Sequence, residues 1–298
     1  MKYQLKHLTE YVYQHPVSNS YNLACLTPRN LSYQRVLSTQ LTIYPAGTEI
    51  SQYADYFGNI RHFIHLQPPH QQLSVISHAT LEIQPRHNAE RLSSGCTEAQ
   101  LQTFLQQSTS SEAVYAKLLC QPSRMAPFCA EAAALLPPLR QPGQTLLQLA
   151  EQLNQYIFAN FIYTPGFSTV VTPLSEVMKY RRGVCQDFAL LAISCLRANG
   201  IPARYVSGYL ETQPLPGQPR LQGADASHAW FAVFDPELGW VDFDPTNNLL
   251  PCQQHLTIAF GRDYADVVPL KGLVQGSGSH QLKVAVDVIP CEEAATVK

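Results

Sequence analysis

The chain has 298 residues, 45% of them apolar and 14% charged, enough to bury one large core or two domains of ordinary size and unlike a disordered composition. A formal net charge of -2 lacks the basic excess of a nucleic-acid-binding surface, which leaves small or peptidic partners. The opening segment Met1-Lys-Tyr-Gln-Leu-Lys-His-Leu-Thr-Glu has no apolar signal-peptide core, and no later stretch approaches about 18 uninterrupted apolar residues, so a cytoplasmic protein that does not engage a membrane is expected.

Four segments near the N-terminus, Tyr3 to Tyr13, Val36 to Tyr44, Ile60 to Leu66 and Leu73 to Ile83, are rich in Val, Ile, Thr, Tyr and Leu with partial alternation, which predicts strands. Pro45-Ala-Gly47 and Phe57-Gly58-Asn59 supply the turns between them. Residues 1–88 therefore read as an antiparallel, sandwich-like β domain, whose open strand edges leave self-association as a homo-oligomer available.

From Thr97 the texture becomes helical. Glu98 to Gln107 and Glu112 to Leu119 carry Leu, Ala and Gln at helical spacing behind Ser or Thr caps, and residues 89–142 are expected as a helical connecting region. After the break at Pro137-Pro-Leu-Arg-Gln-Pro142, the stretch Thr145 to Phe161 has an apolar stripe of period near 3.6 and is predicted as an amphipathic helix. A short helix follows from Pro173 to Arg181, with Thr172 as cap and Pro173 in the first helical position. The next helix starts at Cys185 and stops at Asn199-Gly200, where glycine supplies a left-handed C-cap.

Beyond Pro202 the period returns to two, predicting strands at Ala203 to Glu211, Ala226 to Phe234, Trp240 to Asp244, Leu256 to Phe260 and Gln281 to Ile289. A loop rich in Pro and Gly, Thr212 to Asp225, separates the first two, and Gly272 to Gly278 reads as a flexible connector. Residues 143–298 are expected as one core with its C-terminal strands.

Eight cysteines are scattered along the chain without a CxxC pair or a His-rich tract, a pattern of neither a zinc site nor a disulfide scaffold. Most are expected as small buried hydrophobes, Cys195 among them. Cys185 differs because it lies in the first turn of an apolar helix. Unpaired N–H groups and the positive end of the helix dipole favour a thiolate there, and the same N–H groups can receive an oxyanion.

The partners of Cys185 follow from strand arithmetic. If Asp235-Pro-Glu-Leu-Gly239 is a five-residue hairpin loop, Phe234 opposes Trp240, Trp230 opposes Asp244, and His228 lies diagonal to Asp244 on one sheet face. A slip that shortens the loop sets His228 directly opposite Asp244. Asp242 shares the face but falls one pair further away. Singly, a Cys at a helix start, a His beside Trp and an Asp-Pro step are ordinary structural features; together they form a nucleophile, its base and the carboxylate that orients the base.

With those residues in place the chain resembles a known family. Gly183-Val-Cys185-Gln-Asp187-Phe-Ala189, His228-Ala-Trp230 and Asp244-Pro-Thr246 are similar to the three blocks of the transglutaminase-like core, a relative of papain-type cysteine peptidases. Residues 1 to 85, including Tyr56-Phe-Gly-Asn59, resemble the N-terminal β domain of the bacterial transglutaminase-like group, and His255 through Gly261-Arg-Asp-Tyr264-Ala-Asp266 to Pro269 resembles its C-terminal segment. Residues 90–142 match no named pattern. The resemblance implies an α+β fold in which the Cys-bearing helix packs on an antiparallel sheet, with a catalytic triad of Cys185, His228 and Asp244. It implies neither cofactor nor metal.

That triad works through a thioester: Cys185 attacks an amide carbonyl, His228 protonates the departing amine, and Asp244 holds the imidazole tautomer. Water as the second nucleophile makes a peptidase or amidase; a primary amine makes a transglutaminase. Hydrolysis of a peptide or isopeptide-like amide is the expectation, because bacterial proteins with this N-terminal domain resemble peptidases and no EF-hand-type calcium loop is present. Protein-glutamine amine transfer and a catalytically silent peptide-binding or assembly module are the alternatives, the second of which the loss of a triad residue would signal. Tyr163, Gly166, Trp230, Arg262 and Asp263 are expected at the substrate, with the Thr212 to Asp225 loop lining or covering the channel. Lys179, Arg181 and Arg182 are placed to attract an acidic substrate, and Asp187 to stabilise its helix start.

Overall fold

The computed structural model describes residues 1–86, 88–212, 227–276 and 278–291. Six N-terminal strands, β1 (Lys2–Val17), β2 (Asn19–Thr27), β3 (Gln34–Tyr44), β4 (Glu49–Ala54), β5 (Ile60–Leu66) and β6 (His70–Ile83), form two antiparallel sheets. In β1, Tyr3, Leu5, His7 and Thr9 point inward and Lys2 and Lys6 outward, the alternation of a sheet with one buried face. The sheets enclose a small core of Tyr13, Val17, Leu26, Ile64, Leu66, Leu73 and Val75. Two strands are absent from the sequence reading. β2 hides because its inward positions include Ser20 and Asn22, which are paid no hydrophobic signal but are satisfied by each other at 3.3 Å and by His70 at 3.3 Å. β4 hides because all of its positions are exposed.

Helices α1 (Asn88–Arg91), α2 (Glu98–Gln107), α3 (Ser111–Leu118) and α4 (Ala130–Ala133) fill the region expected as a connector. It does more than connect. Leu101, Leu105, Ala116, Ala126, Ala132 and Leu136 enter the same hydrophobic cluster as the core helices, because the apolar faces of helices this short gain stability only by tertiary burial. α5 (Leu146–Asn160) follows, closed by a capping box of Thr145 and Gln148. A two-stranded parallel pair, β7 (Ile162–Tyr163) with β8 (Arg182–Gly183), flanks α6 (Leu174–Tyr180) and leads into α7 (Cys185–Ala198). Pro173 sits at the N-cap of α6 and not in its first turn, and Thr172 accepts from Thr169 N–H at 2.9 Å in place of capping the helix.

The core sheet has the order β11 (Gly239–Phe243), β10 (Ser227–Asp235), β9 (Ala203–Leu210) and β12 (His255–Gly261), all antiparallel. One face, with Tyr205, Phe231, Val233, Val241 and Phe243, packs with α7 in the main core. The other carries Val206, Trp230, Ala232 and Phe260. The β sandwich docks on β12 through two side chains that imitate a neighbouring strand. Gln34 exchanges hydrogen bonds with the Thr257 backbone at 2.7 and 2.9 Å, and Asn59 with the Phe260 backbone at 2.7 and 2.8 Å, so this edge is covered.

The expected unit 143–298 is corrected at its end. β13 (Leu270–Gln275) pairs with β2, and β14 (His280–Cys291) pairs with β1 from Lys2↔Cys291 to Tyr13↔His280. The C-terminal strands thus complete the N-terminal sheets, whose edges would otherwise stand open, and most of the expected connector Gly272 to Gly278 is strand. No helix among the described residues is long and apolar enough to cross a membrane.

Candidate active site

Cys185 is the first residue of α7, whose residues 187–197 are all buried. Its position is set by Gly183 and Asp187. Asp187, itself buried, accepts from Val184 N–H at 2.8 Å and from the Ser168 hydroxyl, locking the turn before the helix. A Cβ on Gly183 would stand 2.8 Å from Asp187 Cβ and 2.9 Å from its Oδ2, so only glycine admits this lock. Val184 makes no side-chain cap, which leaves the first-turn N–H groups for a negative charge at Cys185 or an oxyanion beside it. Cys195, two to three turns on, is wholly buried and its thiol is pushed up to about 12 by burial, the property of a packing residue.

His228 enters from the start of β10. The expected register holds at Phe234↔Trp240, with one further pair, Asp235↔Gly239, so the loop is three residues long. Asp235 closes it by accepting from the N–H groups of Glu237 and Leu238 at 2.9 and 3.0 Å. Pairing ends at Phe231↔Phe243, and Asp244 turns away to bridge Leu249 at 2.9 and 3.1 Å. This brings Asp244 Oδ2 to 2.8 Å from His228 Nε2, leaving Nδ1 for the thiol side of the ring. Asp242 is taken by Arg86 in a buried ion pair.

Asp244 is the hub of a wider network. Its Oδ2 also meets His255 Nε2 at 3.1 Å and Asn247 Nδ2 at 2.8 Å, and its Oδ1 accepts from the N–H groups of Thr246 and Asn247. Burial by itself would discourage charge on His228, but hydrogen bonds to Asp244 and Cys185, and their negative charges, outweigh it and lift the imidazole to about 10. Burial likewise opposes ionisation of Asp244 and is overcome by His228 and His255, which hold the carboxylate far below its usual range. On His255 burial wins over Asp244, and its value falls below that of a free imidazole. The two imidazoles that share this carboxylate are therefore shifted in opposite directions.

The three groups could chelate a metal, since one ligand atom from each of His228, Asp244 and His255 lies within 4.8 Å of the others. Such an ion would displace the hydrogen bond that orients His228 and so compete with thiol chemistry. The sequence reading passed over His255 and Asn247 as members of this site. Asn247 was readable from Asp244-Pro-Thr-Asn247, since an Asp followed by Pro and polar residues commonly folds its carboxylate onto the N–H groups two and three positions on. A lone His on a strand carries no such signal.

The expected substrate contacts separate. Tyr163 is half exposed, packs its ring on Phe188 at 6.5 Å, and is close enough to Cys185 for their charges to interact. Gly166 lies at an exposed turn with φ 77 and nothing within 4 Å of a Cβ placed there. Trp230 is corrected: it is wholly buried, with its ring 5.9 Å from His228 and 5.3 Å from His255, because it lies two residues further into β10 on the same face, inside the cluster of Val206, Ala232 and Phe260. Arg262 is engaged by Asp266 at 2.8 Å, and Asp263 accepts from Ala265 and Met125 N–H groups, so both charges shape a turn. Most of the Thr212 to Asp225 loop lies outside the described residues.

Residues 3–82 match the model of the bacterial transglutaminase-like N-terminal region, and residues 133–245 that of the transglutaminase-like superfamily. An uncharacterized protein of Mycobacterium tuberculosis is 38% identical over 299 residues, covering 98% of this chain and 93% of its own length. A protein-glutamine gamma-glutamyltransferase of Pseudomonas aeruginosa is 35% identical over 115 residues, which cover 37% of this chain and 17% of that protein. A crystal structure of a candidate cysteine protease from Cytophaga hutchinsonii shares the fold, with a TM-score of 0.73 at 20% identity, covering 98% of this chain and 92% of that one.

Proposed function

This chain belongs to the transglutaminase-like superfamily, and from that premise we propose that it is a cysteine peptidase or amidase acting on a peptide or isopeptide-like amide through Cys185, His228 and Asp244. The observation that carries the reading is the buried pair of His228 Nε2 and Asp244 Oδ2 at 2.8 Å, with the Cys185 thiol on the same imidazole at the start of α7. The thiolate attacks the amide carbonyl carbon while first-turn N–H groups of α7 accept the oxyanion. His228 gives its proton to the departing amine, leaving a thioester. Water then loses a proton to His228 and attacks that carbonyl, expelling the carboxylic acid and restoring the thiolate. Asp244 keeps the imidazole in one tautomer throughout.

Two features bear on the second nucleophile. Lys179 on α6, Arg181 at its C-cap and Arg182 on β8 are all exposed just ahead of Cys185, where their charge repels a lysine ammonium and is indifferent to water. Against this stands the partial likeness to a protein-glutamine gamma-glutamyltransferase, which favours amine transfer as the second reading. A peptide library incubated with the enzyme, with and without a primary amine, and analysed by mass separates them. Hydrolysis adds one water across a cleaved or deamidated bond whether or not amine is present. Amine adducts as the main product overturn it in favour of transfer, and products that persist in Cys185→Ala remove the thiol from the mechanism.

A further inference from the structure

Behind the core sheet, on the face away from α7, lies a cavity of about 570 Å³ lined by Arg29, Arg86, Arg91 and Arg204 together with Tyr33, Trp240 and Asp242. Among the described lining residues Asp242 is the one carboxylate, and Arg86 holds it, so three positive charges are in excess. The nearby Asp55 is spent on Arg61 at 2.8 Å.

The arginines are fixed but incompletely satisfied. Arg29 donates Nη1 to Phe57 O and Asn59 Oδ1, each at 2.9 Å, and lies over Phe260. Arg86 binds Asp242 and the His255 carbonyl and lies over Tyr33. Arg204, 9% exposed, is stacked between Phe260 at 3.5 Å and Trp240 at 4.3 Å, and burial raises the Tyr115 hydroxyl near it above its ordinary value. The Nε–H groups of Arg29, Arg86 and Arg204 are all buried without a hydrogen-bond partner among the described residues. Burial pushes both Arg29 and Arg204 below the usual guanidinium value, as expected for cations lacking a counter-charge. Aromatic faces hold the planes of these groups and leave their edges for an anion, and the volume is that of a small-ligand site.

We propose that this cavity binds a small polyanion whose phosphate or carboxylate groups take the guanidinium edges of Arg91 and Arg204. Both groups match the flat two-pronged donor edge of arginine. None of Cys185, His228 and Asp244 lines the cavity, so anion binding here is read separately from the proposed amide chemistry.

Titration calorimetry on the full chain, with inorganic pyrophosphate and separately with citrate at matched ionic strength, tests it. Saturable one-to-one binding of either ion is expected, and which ion binds more tightly assigns phosphate or carboxylate as the group recognised. Arg91→Gln, at a partly exposed position at the end of α1, should weaken the binding by roughly tenfold, the loss of one charge-assisted contact. Arg204→Lys, which keeps the charge and loses the planar edge, should also weaken it, whereas Arg140→Gln, at an exposed pair with Glu98, should not. Absence of binding by both ions, or binding equally tight in Arg91→Gln, overturns the proposal.

Discussion

Replacing Asp244 by Asn preserves the outline of the side chain and removes its charge. The carboxylate receives His228 Nε2 at 2.8 Å, His255 Nε2 at 3.1 Å and Asn247 Nδ2 at 2.8 Å on Oδ2, and the N–H groups of Thr246 at 3.0 Å and Asn247 at 3.3 Å on Oδ1. An amide has a single acceptor oxygen, so its NH2 group must face at least two of these donors whichever way it turns. Each buried donor left unsatisfied costs about 1–3 kcal/mol, and removing one partner of a buried ion pair about 3–5 kcal/mol, two views of the same loss. Asp244→Asn should therefore lower unfolding free energy in urea by about 3–5 kcal/mol near pH 6, and should lower turnover by about a thousandfold or more through the wrong tautomer. The pH dependence gives the reasoning a sign. Asp244 is depressed, so its contribution exists above the ordinary carboxylate value near 4 and is lost as pH falls below it. His228 is raised to about 10, so its contribution is full below the free-imidazole value near 6.5 and is lost as pH rises towards 10. The gap between wild type and variant should be widest between about pH 4 and 6.5 and narrow on both sides. A variant within about 1 kcal/mol of wild type at pH 6, or a gap that is flat from acid to alkali, refutes this account of the site.

Gly183→Ala sets a methyl group 2.8 Å from Asp187 Cβ, and a loss of about 1–3 kcal/mol in thermal or urea unfolding is expected, with reduced turnover as the turn before Cys185 shifts; unchanged values for both would contradict the lock. His7, which contacts Tyr209 at 2.7 Å where the sandwich meets the core sheet, is held down to about 4 by burial. Since its unfolded value lies near 6.5, stability of roughly 3 kcal/mol should be lost as pH falls from 6.5 to 4, and His7→Gln should flatten the urea midpoint over that interval; an equally steep fall in the variant places the acid sensitivity elsewhere. Iodoacetamide at neutral pH, followed by peptide mass mapping, should label Cys185 ahead of Cys25 and Cys120, raised to about 11 by burial, and of Cys96 and Cys195, raised to about 12. The exposed Cys252 serves as the reference for an accessible thiol, and equal labelling of Cys185 and Cys252 speaks against an activated nucleophile.

The main elements of the candidate site were legible because local rules decide them. Alternation, helical period and a glycine stop marked β10, β11 and α7, and a hairpin register counted from Phe234 and Trp240 agreed with the pairing in the fold. The same rules failed where a signal was absent or borrowed. Polar Ser20 and Asn22 concealed β2, and β14 read as a strand without any sign that its partner was β1, at the other end of the chain. Trp230 looked available beside His228, but its place two residues further into β10 buries it.

Which residues are candidates for a nucleophile, a base and a carboxylate was therefore set by the sequence itself, since helix starts and strand faces depend on spacing along the chain. That Asp244 serves two imidazoles, that the C-terminal strands close the N-terminal sheets, and that four arginines separated by up to 175 positions gather behind the core sheet was decided by tertiary structure alone. Such contacts join segments with no common period or neighbouring position, and only the burial of shared faces brings them together.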